Sequence, residues 1–256
     1  MSVIRFFYIF IILSFKLCLG ADDPVVESLK QWDKPQKVIL TTHNLAPLGS
    51  YPKNSPIQFI ADDSFRGIVV DRVRQAFKEL SIPLEIQVMP WMRAQAVVIS
   101  QEAQGFFSAS KQRERDDFAI LSTVIIEQTW TWYLLKNNNL EPKMPIFKQV
   151  AEIGVFHGGN RLSWLESKGY SIKMAAKTPD ELLKALLKGH VDAILSNNLV
   201  MENLIRKANV FDNVKSYKAK RKPLGVYFSK SFITKYPQFL ENFNVTIETM
   251  KSQENF

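Results

Sequence analysis

Residues 178–195 read TPDELLKALLKGHVDAIL. Thr178 stands where a helix is capped, Pro179 suits the first helical position, and Glu181 follows three residues after the threonine to close a capping box. Leu182, Leu183, Leu186 and Leu187 then recur at helical spacing and give that helix one buried face. Gly189 ends it, and Val191–Leu195 continues as a short apolar strand. Upstream, Glu152–Phe156 (EIGVF) and Ser171–Ala175 read as strands, separated by a Gly158-Gly159-Asn160 turn and a short helix over Arg161–Ser167. The spacing predicts a β-α-β-α-β unit followed by a helix over Leu199–Ala208.

The same order precedes it. Lys37–Thr42 (KVILTT) reads as a buried strand, Ile68–Leu80 as an amphipathic helix and Leu84–Met89 (LEIQVM) as an alternating strand. Pro90 opens a helix over Trp91–Ser100, and Gly105–Ser108 is a third strand. Val124–Leu135, rich in β-branched and aromatic residues, reads as one long strand, with Trp130 and Trp132 on one face as core or hinge packing. Pro223–Phe228 is a last strand and Tyr236–Met250 a closing helix; unpartnered in the second unit, they return to the first. Alternating strands and helices imply mostly parallel sheets covered on both faces. The expected architecture is α/β with two lobes, 37–130 plus 222–256 and 135–218, crossed near Thr129–Lys136 and Tyr217–Leu224. Ligands of such folds sit in the crevice at the carboxyl ends of the strands.

Composition narrows the class. A 46% hydrophobic chain with 18 Phe among 256 residues is not disordered. A single cysteine excludes an internal disulfide and a cysteine-based zinc site. His43, His157 and His190 fall in separate elements and read as loop or packing residues, so neither metal nor cofactor is expected. At the N-terminus, Arg5, the apolar run Phe6–Phe15 and Cys18-Leu19-Gly20 form a secretory signal over residues 1–20, cut after Gly20, with Ala21 as runner-up. That apolar run is about half of the roughly 20 residues needed to span a bilayer, and Lys16 argues against lipidation at Cys18. The mature protein is then periplasmic and cysteine-free. Loss of Arg5 and Lys16 lowers the net charge from +8 to +6. Lysines and arginines are scattered except at Lys218–Lys222, so no nucleic acid partner is expected; a monomer is.

Five segments in order resemble the family 3 solute-binding proteins, the periplasmic receptors of polar amino acid ABC importers. They are Arg66-Gly67-Ile68-Val69-Val70-Asp71; Pro90-Trp91-Met92-Arg93-Ala94, as in a P-W-x-R-A subgroup; Phe107-Ser108-Ala109-Ser110 through Arg115 to Leu121-Ser122; Ile153–Gly158; and Leu187–Ala193. The resemblance covers residues 37–250 and implies the type II periplasmic-binding fold, two lobes joined by two hinge segments. It places the ligand's carboxylate on Arg115, with Arg113 as the competing register, because a guanidinium fork fits a carboxylate. It gives Ser108 and Ser110 to the ligand as donors. Trp91 and Arg93 would stand in the first turn of a helix, and Gly158, Gly159 and Asn160 in a turn where backbone amides approach an anion.

Two positions depart from the family pattern. Asn197 occupies the place of an aspartate that holds the α-ammonium, five residues past Asp192, and Leu45 that of an aromatic residue. The resemblance implies an exported protein that closes on a small polar, carboxylate-bearing solute, an amino acid or related compound; the two departures favour a carboxylate over a zwitterion. It would serve uptake, with an inner-membrane ABC permease as partner, or sensing. Two alternatives are an enzyme on the same scaffold, similar to cyclohexadienyl dehydratases, using Glu127 or His157, and a binding fold that no longer captures solute and serves as an envelope partner.

Overall fold

A computed structural model describes residues 32–157 and 159–253; the signal expected over residues 1–20 lies outside the described residues, as does Gly158. The first sheet begins with three parallel strands, β1 (Val38–Thr42), β2 (Leu84–Val88) and β3 (Gly105–Ser110). Helix α1 (Ile68–Glu79) joins β1 to β2 and buries Val69, Val70, Val73, Ala76 and Phe77. Gly67 precedes it because the chain passes so close to the loop that an added Cβ would lie 2.6 Å from the Leu48 carbonyl oxygen. Arg66 and Asp71, in the same motif, pair at 2.8 Å on the surface. Helix α2 (Trp91–Ile99) joins β2 to β3, and the short α3 (Arg113–Asp116) leads to β4 (Ala119–Leu121).

The chain then enters a second sheet. Its β5 (Thr129–Leu135) is followed by α4 (Phe147–Val150), β6 (Ile153–Phe156), α5 (Asn160–Ser167), β7 (Ile172–Ala176), α6 (Pro179–Leu187), β8 (Ala193–Asn197), α7 (Asn198–Lys207) and β9 (Val214–Arg221). The order is β7-β6-β8-β5-β9. The α6 start forms as its residues dictate: the Thr178 hydroxyl accepts from Glu181 N at 3.2 Å, and the Glu181 carboxylate accepts from Lys177 N at 2.9 Å. Finally β10 (Leu224–Ser229) returns to the first sheet, between β3 and β4, giving β2-β1-β3-β10-β4. Helices α8 (Lys230–Lys235) and α9 (Phe239–Gln253) close the chain.

Each sheet is mixed, not mostly parallel: β10 is antiparallel to β3 and β4, and β5 to β8 and β9. The cause is the crossing itself, since a chain that leaves one sheet and comes back must reverse. Val124–Leu135 is correspondingly not one strand. Its first half is the crossing, where Ile125 N and Ile126 N both donate to Leu224 O, at 2.8 and 3.3 Å. The return crossing lies beside it: Lys222 N donates to Gln128 O at 3.0 Å, and the Gln128 side-chain amide donates to Lys222 O. Strand β9 is rich in lysine and occupies an outer edge, where Lys215, Lys218 and Lys220 are tolerated and oppose edge-to-edge pairing.

Two aromatic cores hold the sheets. Phe228, wholly buried on β10, meets Phe239 and Phe243 of α9 edge-on at 4.9 and 5.0 Å. In the second sheet Trp130 and Trp132 pack against Trp164, Phe147 and Tyr170. Tyr133, on the opposite face, joins the leucines of α6. Phe228→Ala should therefore unfold at lower urea, costing about 3–5 kcal/mol; a smaller loss would show that α9 is not anchored through this ring.

Candidate functional site

Residues of both lobes line one small cavity, with about 60 Å³ accessible to water-molecule centres. From the first lobe come His43, Leu45, Leu48, Trp91, Ser108, Ser110 and Arg115; from the second, Phe156, Gly159, Asn160, Arg161, Pro179, Ser196, Asn197 and Val200. Gln128 and Leu224 of the crossing segments complete it. Among the sequence candidates, Leu45, Trp91, Ser108, Ser110, Arg115, Gly159, Asn160 and Asn197 thus meet in one place. Arg93 does not: it is exposed and absent from the lining. Arg113 is exposed as well, whereas Arg115 is only 4% exposed and lines the cavity.

The Arg115 side chain is held by its own lobe. Nε donates to Gln95 Oε1 at 2.9 Å and Nη1 to Ser110 O at 2.8 Å, leaving three of its five N–H groups for other use. The guanidinium lies over the rings of Trp91 and Phe106, 5.2 and 5.8 Å from their centroids, which stabilises a cation away from water. Burial pushes its pKa down to about 10, so it remains charged at neutral pH. Ser108, just before Ser110 in β3, has φ 62°, in the left-handed region that a non-glycine residue seldom adopts. It is the extra residue where the β3–β10 register shifts, and its wall of the cavity carries a strain of about 1–3 kcal/mol.

Across the cleft, Asn160 Nδ2 donates to Ser110 Oγ at 2.8 Å, a direct bond between the lobes. Gly159 is an ordinary turn residue, since an added Cβ would find its nearest neighbours at 3.6 and 3.7 Å. Asn197 caps α7, its Oδ1 accepting from Val200 N at 3.3 Å. The side chain can offer the cavity its amide donors and the oxygen's second lone pair, but no charge. Asp192 is structural, its carboxylate accepting from Glu152 N at 2.8 Å.

Arg161, His43, Gln128 and Ser196 also line the cavity and carry no motif in the sequence. Arg161 makes no hydrogen bond or ion pair with any described residue, and its Nε is buried without a partner. Burial and the charge of Arg115 push its pKa down to about 10. A cation in a helix's first turn opposes the macrodipole; that anomaly at Arg161 is the signal the sequence holds. The His43 ring packs tilted against Trp91, centroids 4.7 Å apart, and burial together with Arg161 and Arg115 lowers its pKa from 6.5 to about 4. Glu127 and His157, the acid–base candidates of the enzyme alternative, are exposed and outside the lining; Glu127 pairs with Arg221. Among the described residues no group of His, Cys, Asp and Glu could hold a metal ion, and no helix is long and apolar enough to cross a membrane.

No protein-family profile matches the chain, and no curated protein sequence matches it. Solved structures do. A substrate-binding protein of an ABC uptake transporter from Streptococcus pneumoniae, with bound histidine, superposes with TM-score 0.70 at 12% identity, over 91% of this chain and 93% of that one. The GluR0 ligand-binding core from Nostoc punctiforme, in complex with L-glutamate, gives 0.69 at 12% identity, over 84% and 93%. The arginine-, lysine-, histidine-binding protein ArtJ from Geobacillus stearothermophilus gives 0.68 at 17% identity, over 85% and 90%. The fold is the two-lobe, type II periplasmic-binding fold.

The His43 shift fixes a pH dependence. A depressed folded-state pKa means that the unfolded chain takes up the proton first, so stability is fully present above pH 6.5 and is lost as pH falls toward 4. Urea midpoints measured across that range should fall with pH in the wild type, and His43→Gln should flatten the decline. Parallel curves for the two proteins would refute the buried neutral imidazole.

Proposed function

We propose that the protein is an exported solute-binding protein that closes its two lobes on a small polar solute bearing a carboxylate, for ABC-type uptake or sensing. One observation carries the reading: two arginines from opposite lobes, Arg115 and Arg161, line a cavity with no Asp or Glu in its lining. Desolvated cations without counter-ions are costly, and an anion from solution that bonds both lobes relieves that cost only in the closed state. Such differential affinity is what drives closure. Arg115 is the carboxylate clamp, with Ser108, Ser110 and Asn160 around it. The fold shared with amino-acid-binding structures supports the same reading. The lobes in this reading are 37–130 plus 222–256 and 135–218, and the protein acts as a monomer beside an inner-membrane permease. His43, the acid–base side chain in the lining, is held neutral well below neutral pH and is a weak base, which argues against the enzyme alternative.

A thermal-shift screen with amino acids and mono- and dicarboxylates tests the reading. A bound solute at a hundred times its Kd should stabilise by about 2.7 kcal/mol, raising Tm by about 5–10 °C. Arg115→Ala should abolish the shift, and Arg115→Lys, which keeps the charge and loses the fork, should weaken it about tenfold or more. Undiminished binding by Arg115→Ala would remove Arg115 from the site; silence across the whole screen would remove the function.

A further inference from the structure

We propose that the solute carries two anionic groups and no ammonium, the second anionic group being held by Arg161. The inference rests on the binding reading above and names its ligand class.

Three observations converge. Arg161 and Arg115 face one cavity from different lobes, and the lining holds no carboxylate to neutralise them. Arg115 has partial compensation from Glu114 and Asp116, which lie outside the lining; for Arg161 no attractive partner exists among the described residues. The Arg161 Nε is buried and bonds nothing. A ligand with a single carboxylate on Arg115 leaves that second guanidinium unpaired in a closed cleft, whereas a second anionic group completes it.

An ammonium group, by contrast, finds no anionic acceptor. Asn197 brings only a neutral amide oxygen, one lone pair of which already caps α7. The other acceptors in the lining are neutral, the serine hydroxyls and Gln128 Oε1, the last buried without a partner. They suit a hydroxyl or a neutral N–H on the solute, not a full positive charge between two guanidinium groups. The small volume restricts the solute to a compact one. A short dicarboxylate and a carboxylate that also bears a phosphate monoester both meet this description, and the experiment separates them.

Titration calorimetry on the exported protein uses four kinds of probe at fixed ionic strength. They are aliphatic dicarboxylates of increasing length, their α-amino counterparts aspartate and glutamate, monocarboxylates of matched length, and phosphoglycolate. A dicarboxylate or the phosphate monoester should bind about tenfold or more tightly than every amino acid and monocarboxylate, as expected for one extra charge-assisted pair. Which of the two prevails identifies the source of the second charge. Arg161→Gln should erase the preference while leaving the ligand-free Tm unlowered, because Arg161 bonds nothing in the protein. Asn197→Asp, which caps a helix equally well, should shift the preference toward the amino acid. If glutamate or a monocarboxylate binds as well as the best dianion, or Arg161→Gln leaves the ratio unchanged, the inference fails and the binding function stands. If no probe binds and Arg115→Lys changes nothing, both fail together.

Discussion

Two like charges withdrawn from water set the terms for this molecule. Arg115 and Arg161 lie on helices of different lobes, so nothing in the folding of either lobe alone decides how near they come. Their approach is decided by the relation of the lobes, and it is unfavourable until something anionic lies between them. The Asn160–Ser110 bond is a neutral contact at the same seam and tolerates closure without driving it. The architecture thus keeps the stability of the parts separate from the affinity of the whole. The aromatic clusters around Phe228 and Trp132 lie outside the cavity lining, and the cleft is left electrostatically incomplete.

The supports behind the first arginine show how such incompleteness is maintained. Gln95 on α2 and the Ser110 carbonyl fix two of its nitrogen atoms, and two aromatic faces flank the guanidinium plane. Those contacts replace enough hydration to keep a buried cation without cancelling its charge, as a carboxylate partner would. Ser108 adds strain at the same edge, where a register shift turns β3 toward the seam. Local strain next to a buried charge is the pattern expected of the binding surface proposed above.

Most of the fold was legible because its signals are local. The Thr178–Glu181 box, the leucine face of α6 and the glycine at position 189 each specify an element without reference to distant residues, and the structure realises them. The crossing segments were not, since Val124–Gln128 has strand-forming composition and only its bonding to Leu224 shows that it belongs to neither sheet interior. β9 escaped for the opposite reason: a lysine-rich segment reads as surface, and only an edge position lets it be a strand. In the site, Arg115 could be singled out only through the family resemblance, and Arg93 and Arg161 could not be told apart. Both are cations in the first turn of a helix following a strand. One points to solvent and the other into the cleft, and that difference is set by how each helix lies on its sheet.

The paired crossings have a mechanical meaning. Gln128 and Lys222 bind each other twice, and Leu224 bonds back to Ile125 and Ile126, so the two connections run as a single ribbon and not as two independent tethers. A single tether would act as a ball joint and allow twist, tilt and slide. A ribbon allows chiefly rotation about its own line. In the closure proposed above, the length of the solute that bridges the arginines is converted into one angle, which the outer surfaces of the lobes present together.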